Sequence, residues 1–243
     1  MAAREWLPSS PSLSSDSAGD HVPVRPLAAI SWSGGKDSCA ALQRTREAFD
    51  VVAMLTMFDE ERLRSRSHGL RPEVLTAQAE RLGLRQVTGR SSWATYDEAF
   101  GTALGELSSA GITHVIFGDI LFDEHRRWAE QMCERAGLIA VEPLWGSSTT
   151  TLFHEWVASG SEALIVTTRA ALLDRRWLGR RLTADLLPRF AELGVDPCGE
   201  RGEYHTVVTD SPLFRRPLWL RAGDTVQRAD CWALDVVPDA AHD

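Results

Sequence analysis

Apolar runs of strand length alternate with amphipathic segments through the first 145 residues. LAAISW at 27–32, VVAMLTMF at 51–58, LRQVTG at 84–89, THVIFGDI at 113–120 and LIAVEPLW at 138–145 read as strands, the third being the weakest. Between them, SCAALQRTREAF from residue 38 sets Cys39, Leu42 and Phe49 on one helical face. Pro72 stands at the first position of a helix that runs to Leu82, and Gly111 and Gly137 end the two helices that follow. Residues 59–71 are charged, contain Gly69 and make a long loop. Strands alternating with helices require right-handed crossovers and a parallel sheet covered on both faces. After Gly146 the pattern changes: a helix over 148–160, a strand over 161–169, a helix over 178–194, a strand over 203–210, then short strands and turns. The expected fold is therefore α/β, a five-stranded parallel sheet of Rossmann-like type over 26–146 followed by a smaller α+β domain over 147–243. Residues 1–25, rich in Ser and Pro and without periodicity, read as a disordered leader.

The 243 residues are 44% hydrophobic and 25% charged with a net charge of -8, the composition of a soluble globular protein rather than a fibrous or disordered one. No run nears the ~18 apolar residues of a membrane span, and the N-terminus has no secretory core. Cys39, Cys133, Cys198 and Cys231 are far apart with no CxxC, which argues against a zinc site or a disulfide framework and for a cytoplasmic setting. The basic run RRWLGRR at 175–181 reads as a solvated face, because the net charge disfavours nucleic acid.

One count changes the picture. Of 26 basic residues, Lys36 alone is lysine, a skew that GC-rich coding produces; a surviving lysine marks a place where a planar guanidinium will not serve. Lys36 lies in SGGKDS, directly between the first strand and the first helix. Gly34 and Gly35 let the backbone approach a ligand, Ser33, Lys36 and Ser38 add donors, and the helix aims its N-terminal N–H groups at the same spot. This is an anion site suited to a polyphosphate, with a spacing unlike that of the GxxxxGK[ST] loop.

SGGKDS resembles the PP-loop of the ATP pyrophosphatases, the adenine nucleotide α-hydrolase-like group. GDILFDEHRRW at 118–128, PLWG at 143–146, WLGRRL at 177–182 and DPCGERGEYHTVVTDSPLF at 196–214 narrow the resemblance to the diphthine–ammonia ligase (diphthamide synthase) family, over residues 27 to about 220. The resemblance implies strand order 3-2-1-4-5 with ATP over the carboxyl ends of strands one and four, where the reversal of order makes a ligand crevice. It implies ATP as cofactor, cleavage of ATP to AMP and pyrophosphate, and an acceptor carboxylate amidated by ammonia; Mg²⁺ is expected as second cofactor because carboxylates beside a polyphosphate make sense with the ion between them.

Ser33, Gly34, Gly35, Lys36, Asp37, Ser38, Gly118, Asp119 and Arg126 are then the nucleotide-binding candidates, and Asp37 and Asp119 the Mg²⁺ ligands. The bland readings are a helix-dipole partner for Asp37, a cap for Asp119 and an exposed helical residue for Arg126; His125 is read as surface. Lys36, Asp37, Glu200, Glu203 and His205 are the catalytic candidates. On a strand, Glu203 and His205 share a face, where a carboxylate and an imidazole hold ammonium and take its proton. Cys198 is read as a small buried residue rather than a nucleophile. The alternatives are a PP-loop enzyme of RNA thiolation and a non-catalytic ATP sensor; the acceptor and a homodimeric state are left open.

Overall fold

The computed structural model of the protein describes residues 24–61 and 63–242. The leader read at 1–25 falls almost wholly outside the described residues. β1 (Leu27–Ser31), β2 (Asp50–Asp59), β3 (Arg85–Ser91), β4 (His114–Ile116) and β5 (Ile139–Val141) form an all-parallel sheet in the order β3-β2-β1-β4-β5. The crossovers are α1 (Lys36–Thr45), α2 (Pro72–Leu82), α3 (Tyr96–Ser109) and α4 (Asp123–Arg135). Pro72 opens α2 as its fixed φ dictates, and Gly83 closes it at φ +69, a left-handed turn that favours glycine.

Two strands are shorter than their apolar runs. β4 stops at Ile116 because the chain then leaves the sheet, its last link being the Phe117 amide donating to the Val141 carbonyl at 2.8 Å. β5 stops at Val141 because Pro143 has no ladder donor, and Glu142–Trp145 closes a turn instead. α1 likewise ends at Thr45, short of Phe49, which packs on His114.

The remainder builds α5 (Thr149–Ala158), β6 (Glu162–Arg169), α6 (Leu186–Leu193), β7 (Tyr204–Asp210), β8 (Leu220–Arg228) and β9 (Cys231–Pro238), with an antiparallel sheet ordered β7-β6-β9-β8. The helix expected over 178–194 is confined to α6. Residues 178–182 run extended beside β6 instead, through Gly179 N–H to Ile165 C=O (2.8 Å) and Leu182 N–H to Ala163 C=O (3.0 Å). The chain's end is one long hairpin, β8–β9, rather than a series of short strands.

The first sheet is apolar on both faces, as burial between helices requires. On one face Ala29, Leu55, Val87 and Val115 meet Phe100, Leu104 and Met132 of α3 and α4. On the other, Ile30, Trp32 and Met54 join α1, α2, α6 and the inner side of β6–β7 in one continuous core that includes Leu75, Phe190, Val207 and Val208. The second sheet thus packs on the α1–α2 face and brings β7 against the loop that follows β1. Among the described residues no helix is long and apolar enough to cross a membrane.

Candidate active site

The loop after β1 is shaped by glycines at positions of close approach. At Gly34, φ is +90, and an added Cβ would lie 2.5 Å from Leu70 and 2.8 Å from Leu75. At Gly35 a Cβ would lie 2.1 Å from the His68 ring. Gly118, just beyond β4, faces the first turn of α1 so closely that a Cβ would sit 2.9 Å from the Asp37 carbonyl carbon and the Ser38 nitrogen. β7 fastens the loop from the other side: Val208 N–H donates to Gly34 C=O (2.9 Å), and Lys36 N–H donates to Thr206 Oγ1 (3.1 Å). Gln78 bridges both, donating to the Gly34 and Val208 carbonyls while accepting from the Trp32 indole. The N-cap residue of α1 is Gly35, which has no side chain to close the helix; Thr206 takes the Lys36 amide, and the rest of the first turn faces the loop as an anion site requires.

Lys36 is buried at that N-terminus. Its Nζ donates to Asp37 Oδ2 at 2.8 Å and to the Cys198 carbonyl, and lies 5.3 Å above the Tyr204 ring. Burial opposes its charge, but the Asp37 carboxylate, with Tyr204 and Cys198, outweighs that and holds the ammonium above the ordinary lysine range. A compact point charge fits this three-sided seat, which accounts for the one lysine of the chain.

Around the loop opens a cleft of about 620 Å³, within the range of small-molecule sites. It lies where the strand order reverses between β1 and β4. Ser33, Lys36, Asp37, Ser38, Gly118, Asp119, Glu200 and His205 all line it, while Gly34 and Gly35 form the loop behind. Asp119 is raised by burial and by nearby Asp37, against the pull of His125 Nδ1 at 3.3 Å. Glu200 is pushed up to about 7, first by burial and then by Asp37. His205 and His68 stack with centroids 4.7 Å apart. Burial pushes them down to about 3 and about 4, His205 further by His68 and both by Lys36, so both rings are neutral.

Two placements differ from the sequence reading. Arg126 turns away from the cleft: its Nε meets Glu130 at 2.9 Å and Glu142 at 3.3 Å, and its guanidinium lies over Trp145. Glu203 also stays out. Its carboxylate accepts from the Asp196 amide (3.2 Å) and the Arg201 amide (2.9 Å), fixing the 196–203 loop from within. The alternation that paired it with His205 does not extend to Glu203, because β7 begins only at Tyr204 and its register with β6 shifts at Ile165/Thr167, so Tyr204, His205 and Thr206 all reach the cleft. His125, read as surface, is exposed, and from there it borders the cleft beside Asp119. Cys198 is a buried thiol pushed up to about 12, first by burial, and it is its carbonyl that serves the site.

Sequence periodicity gave no hint of the rest of the wall. His68 and Arg66 come from the 59–71 loop, and Trp93, Tyr96, Phe100, Phe117 and Trp128 form an aromatic side. The one available signal was loop length: thirteen residues is long for a strand–helix connection and marks a functional segment.

An open parallel sheet with a glycine loop, a helix N-terminus and a buried lysine at its switch point defines a phosphate-binding α/β protein. Family models of the diphthamide synthase N-terminal and C-terminal domains match residues 27–140 and 148–234. The chain therefore belongs to the diphthamide synthase family. The diphthine–ammonia ligase of Mus musculus is 31% identical over 229 residues, 83% of this chain and 85% of that one. That of Danio rerio is 29% identical over 82% and 88%, and that of Schizosaccharomyces pombe 28% over 81% of this chain but 36% of its own length.

Proposed function

We propose that this enzyme is an ATP-dependent, AMP-forming ligase that adenylates a carboxylate and then amidates it with ammonia, in a cytoplasmic setting. The observation that carries the reading is the seating of Lys36 at the open N-terminus of α1, inside a glycine loop at the switch point of the sheet. Lys36 and the first-turn amides of α1 would hold the leaving pyrophosphate, where charge grows as the α–β bond breaks. Asp37 and Asp119 suit one Mg²⁺: two carboxylates face one cleft, Asp37 raises Asp119, and Mg²⁺ takes one or two carboxylates together with phosphate oxygens. Bound there, the metal supplies neutralisation of polyphosphate charge. Among the described residues no cluster of three metal-ligating side chains competes with this arrangement.

The second step assigns the carboxylate role to Glu200 in place of Glu203. Glu200 lines the cleft and ionises near neutrality, so it attracts ammonium and accepts a proton as ammonia attacks the acyl-adenylate. Neutral His205, which lines the same cleft, offers an uncharged acceptor. The acceptor class is a carboxylate, and diphthine, named for the relatives, is the first to test. Labelled pyrophosphate should exchange into ATP with an acceptor present and ammonia absent. A panel of carboxylates including diphthine that supports neither exchange nor amide formation would overturn the ligase reading.

A further inference from the structure

Arg66 stands apart among the cleft residues. Its side chain is 5% exposed and its guanidinium lies 4.2 Å from the Trp93 ring centroid and 5.8 Å from that of Tyr96. Nη1 meets Asp59 Oδ2 at 3.3 Å, whereas Nε and Nη2 are buried with no hydrogen-bond partner among the described residues. Buried donors left unmet are costly, and charged ones most of all. Stacking occupies the faces of a guanidinium and leaves its donors in the ring-parallel plane, where a planar carboxylate takes two at once.

The unmet pair is the one that side-on pairing uses. At Arg71, Nε and Nη2 both donate to Asp235 (3.0 and 2.5 Å), and at Arg176 the same two atoms donate to Asp174 (3.2 and 2.5 Å). Arg66 presents the same edge with no carboxylate on it. It does so inside the cleft, beside the aromatic wall of Tyr96, Phe100, Phe117 and Trp128. Trp93, 78% exposed, is the cover over the guanidinium.

We propose that Arg66 is the anchor for an oxyanion group of the acceptor, a carboxylate that docks side-on against Nε and Nη2 in the guanidinium plane while Trp93 keeps its place on the face. This rests on the ligase reading for the identity of the ligand as acceptor. The phosphates have a seat of their own in the loop at Lys36, on a different element, which is why the carboxylate is assigned here. Specificity then comes from the aromatic wall and from this fork, while Lys36 serves the nucleotide.

The test needs no turnover. In ¹⁵N-labelled protein the Arg66 Nε–Hε resonance is assigned by its loss in Arg66→Lys or, should that variant misfold, in Arg66→Gln. Glutarate and pyrophosphate are then titrated separately into the unsubstituted protein. The expected result is a saturable downfield shift of the Arg66 proton with glutarate and none with pyrophosphate. A shift with pyrophosphate alone would assign Arg66 to the nucleotide. Equal shifts with both would make it an unselective anion patch, and no shift with either would leave no site; each of these overturns the proposal. Pyrophosphate exchange is measured independently, so loss of the ligase reading shows there and loss of the anchor shows here.

Discussion

Two side chains carry most of the chemistry at the scale of single residues. Lys36→Ala removes the ammonium that the proposed mechanism sets on the leaving group and should lower AMP formation by about 10²–10³-fold, the usual effect of deleting a charge-stabilising donor. Lys36→Arg should also fail, because a planar fork overfills the seat between Asp37, the Cys198 carbonyl and Tyr204. Initial rates of AMP release with both variants check this; full activity in Lys36→Arg would remove the compact-charge argument. Glu200 gives a pH prediction. Its folded value near 7 lies above the ordinary 4.5 of a glutamate, so the fold favours the protonated form. The contribution to stability is present below about pH 4.5 and is lost as pH rises through about 7. Glu200→Gln, permanently neutral, should therefore melt a few degrees higher than the parent at about pH 8, while losing the amide product and its rise with pH through 7. Melting curves and a pH–rate profile read both, and an unchanged profile would take Glu200 out of the proton-transfer step.

Contacts between elements decide whether those residues meet. Gly118 touches the backbone of α1's first turn, so a methyl there has no flexible neighbour to push aside. Gly118→Ala should cost about 1–3 kcal/mol by overpacking and weaken ATP binding, measured by calorimetry, by at least about tenfold; unaltered affinity would mean that β4 does not hold α1 in place. Asp235 of β9 clasps Arg71, at the start of α2, and Arg64 of the 59–71 loop at 2.6 Å. Arg71 above all, with Arg64, holds that carboxyl well below the usual range, so its contribution is present above about pH 4 and is lost as pH falls below it. Asp235→Asn should destabilise by about 2 kcal/mol at neutral pH, in the range for hydrogen bonds to charged groups, and the deficit should shrink on acidification; denaturant melts at two pH values test it. These elements also show what the sequence could and could not reveal. β1, β2, α2 and the SGGKDS loop were legible because apolar runs, Pro72 and the glycine pair are local signals. The lengths of β4 and β5 were not, since Gly118 packing and Pro143 override hydrophobicity. Nor were Glu203's inward turn, which depends on the non-repeating loop path that brings the Asp196 and Arg201 amides to it, or Arg126's pairing with Glu142 and the Arg66–Trp93 stack, which join different elements; none leaves a periodic trace.

At the scale of the whole molecule, the nucleotide loop belongs to the first sheet and is completed by the second. Lys36 draws on Asp37 from its own helix and on Cys198, Tyr204 and Thr206 from the other sheet's loop and strand, and one hydrophobic core runs through both. Lys36, the carboxylates of Asp119 and Glu200 and the neutral histidines therefore share a single cleft, so that the two proposed half-reactions can proceed without the intermediate leaving. The most direct test of this account is ³¹P NMR of ATP turnover with Mg²⁺, ammonium and an acceptor carboxylate, diphthine first. AMP and pyrophosphate should form in equal amounts, one of each per amide, and all three should be lost in Lys36→Ala. ADP and inorganic phosphate as the products would contradict the ligase reading.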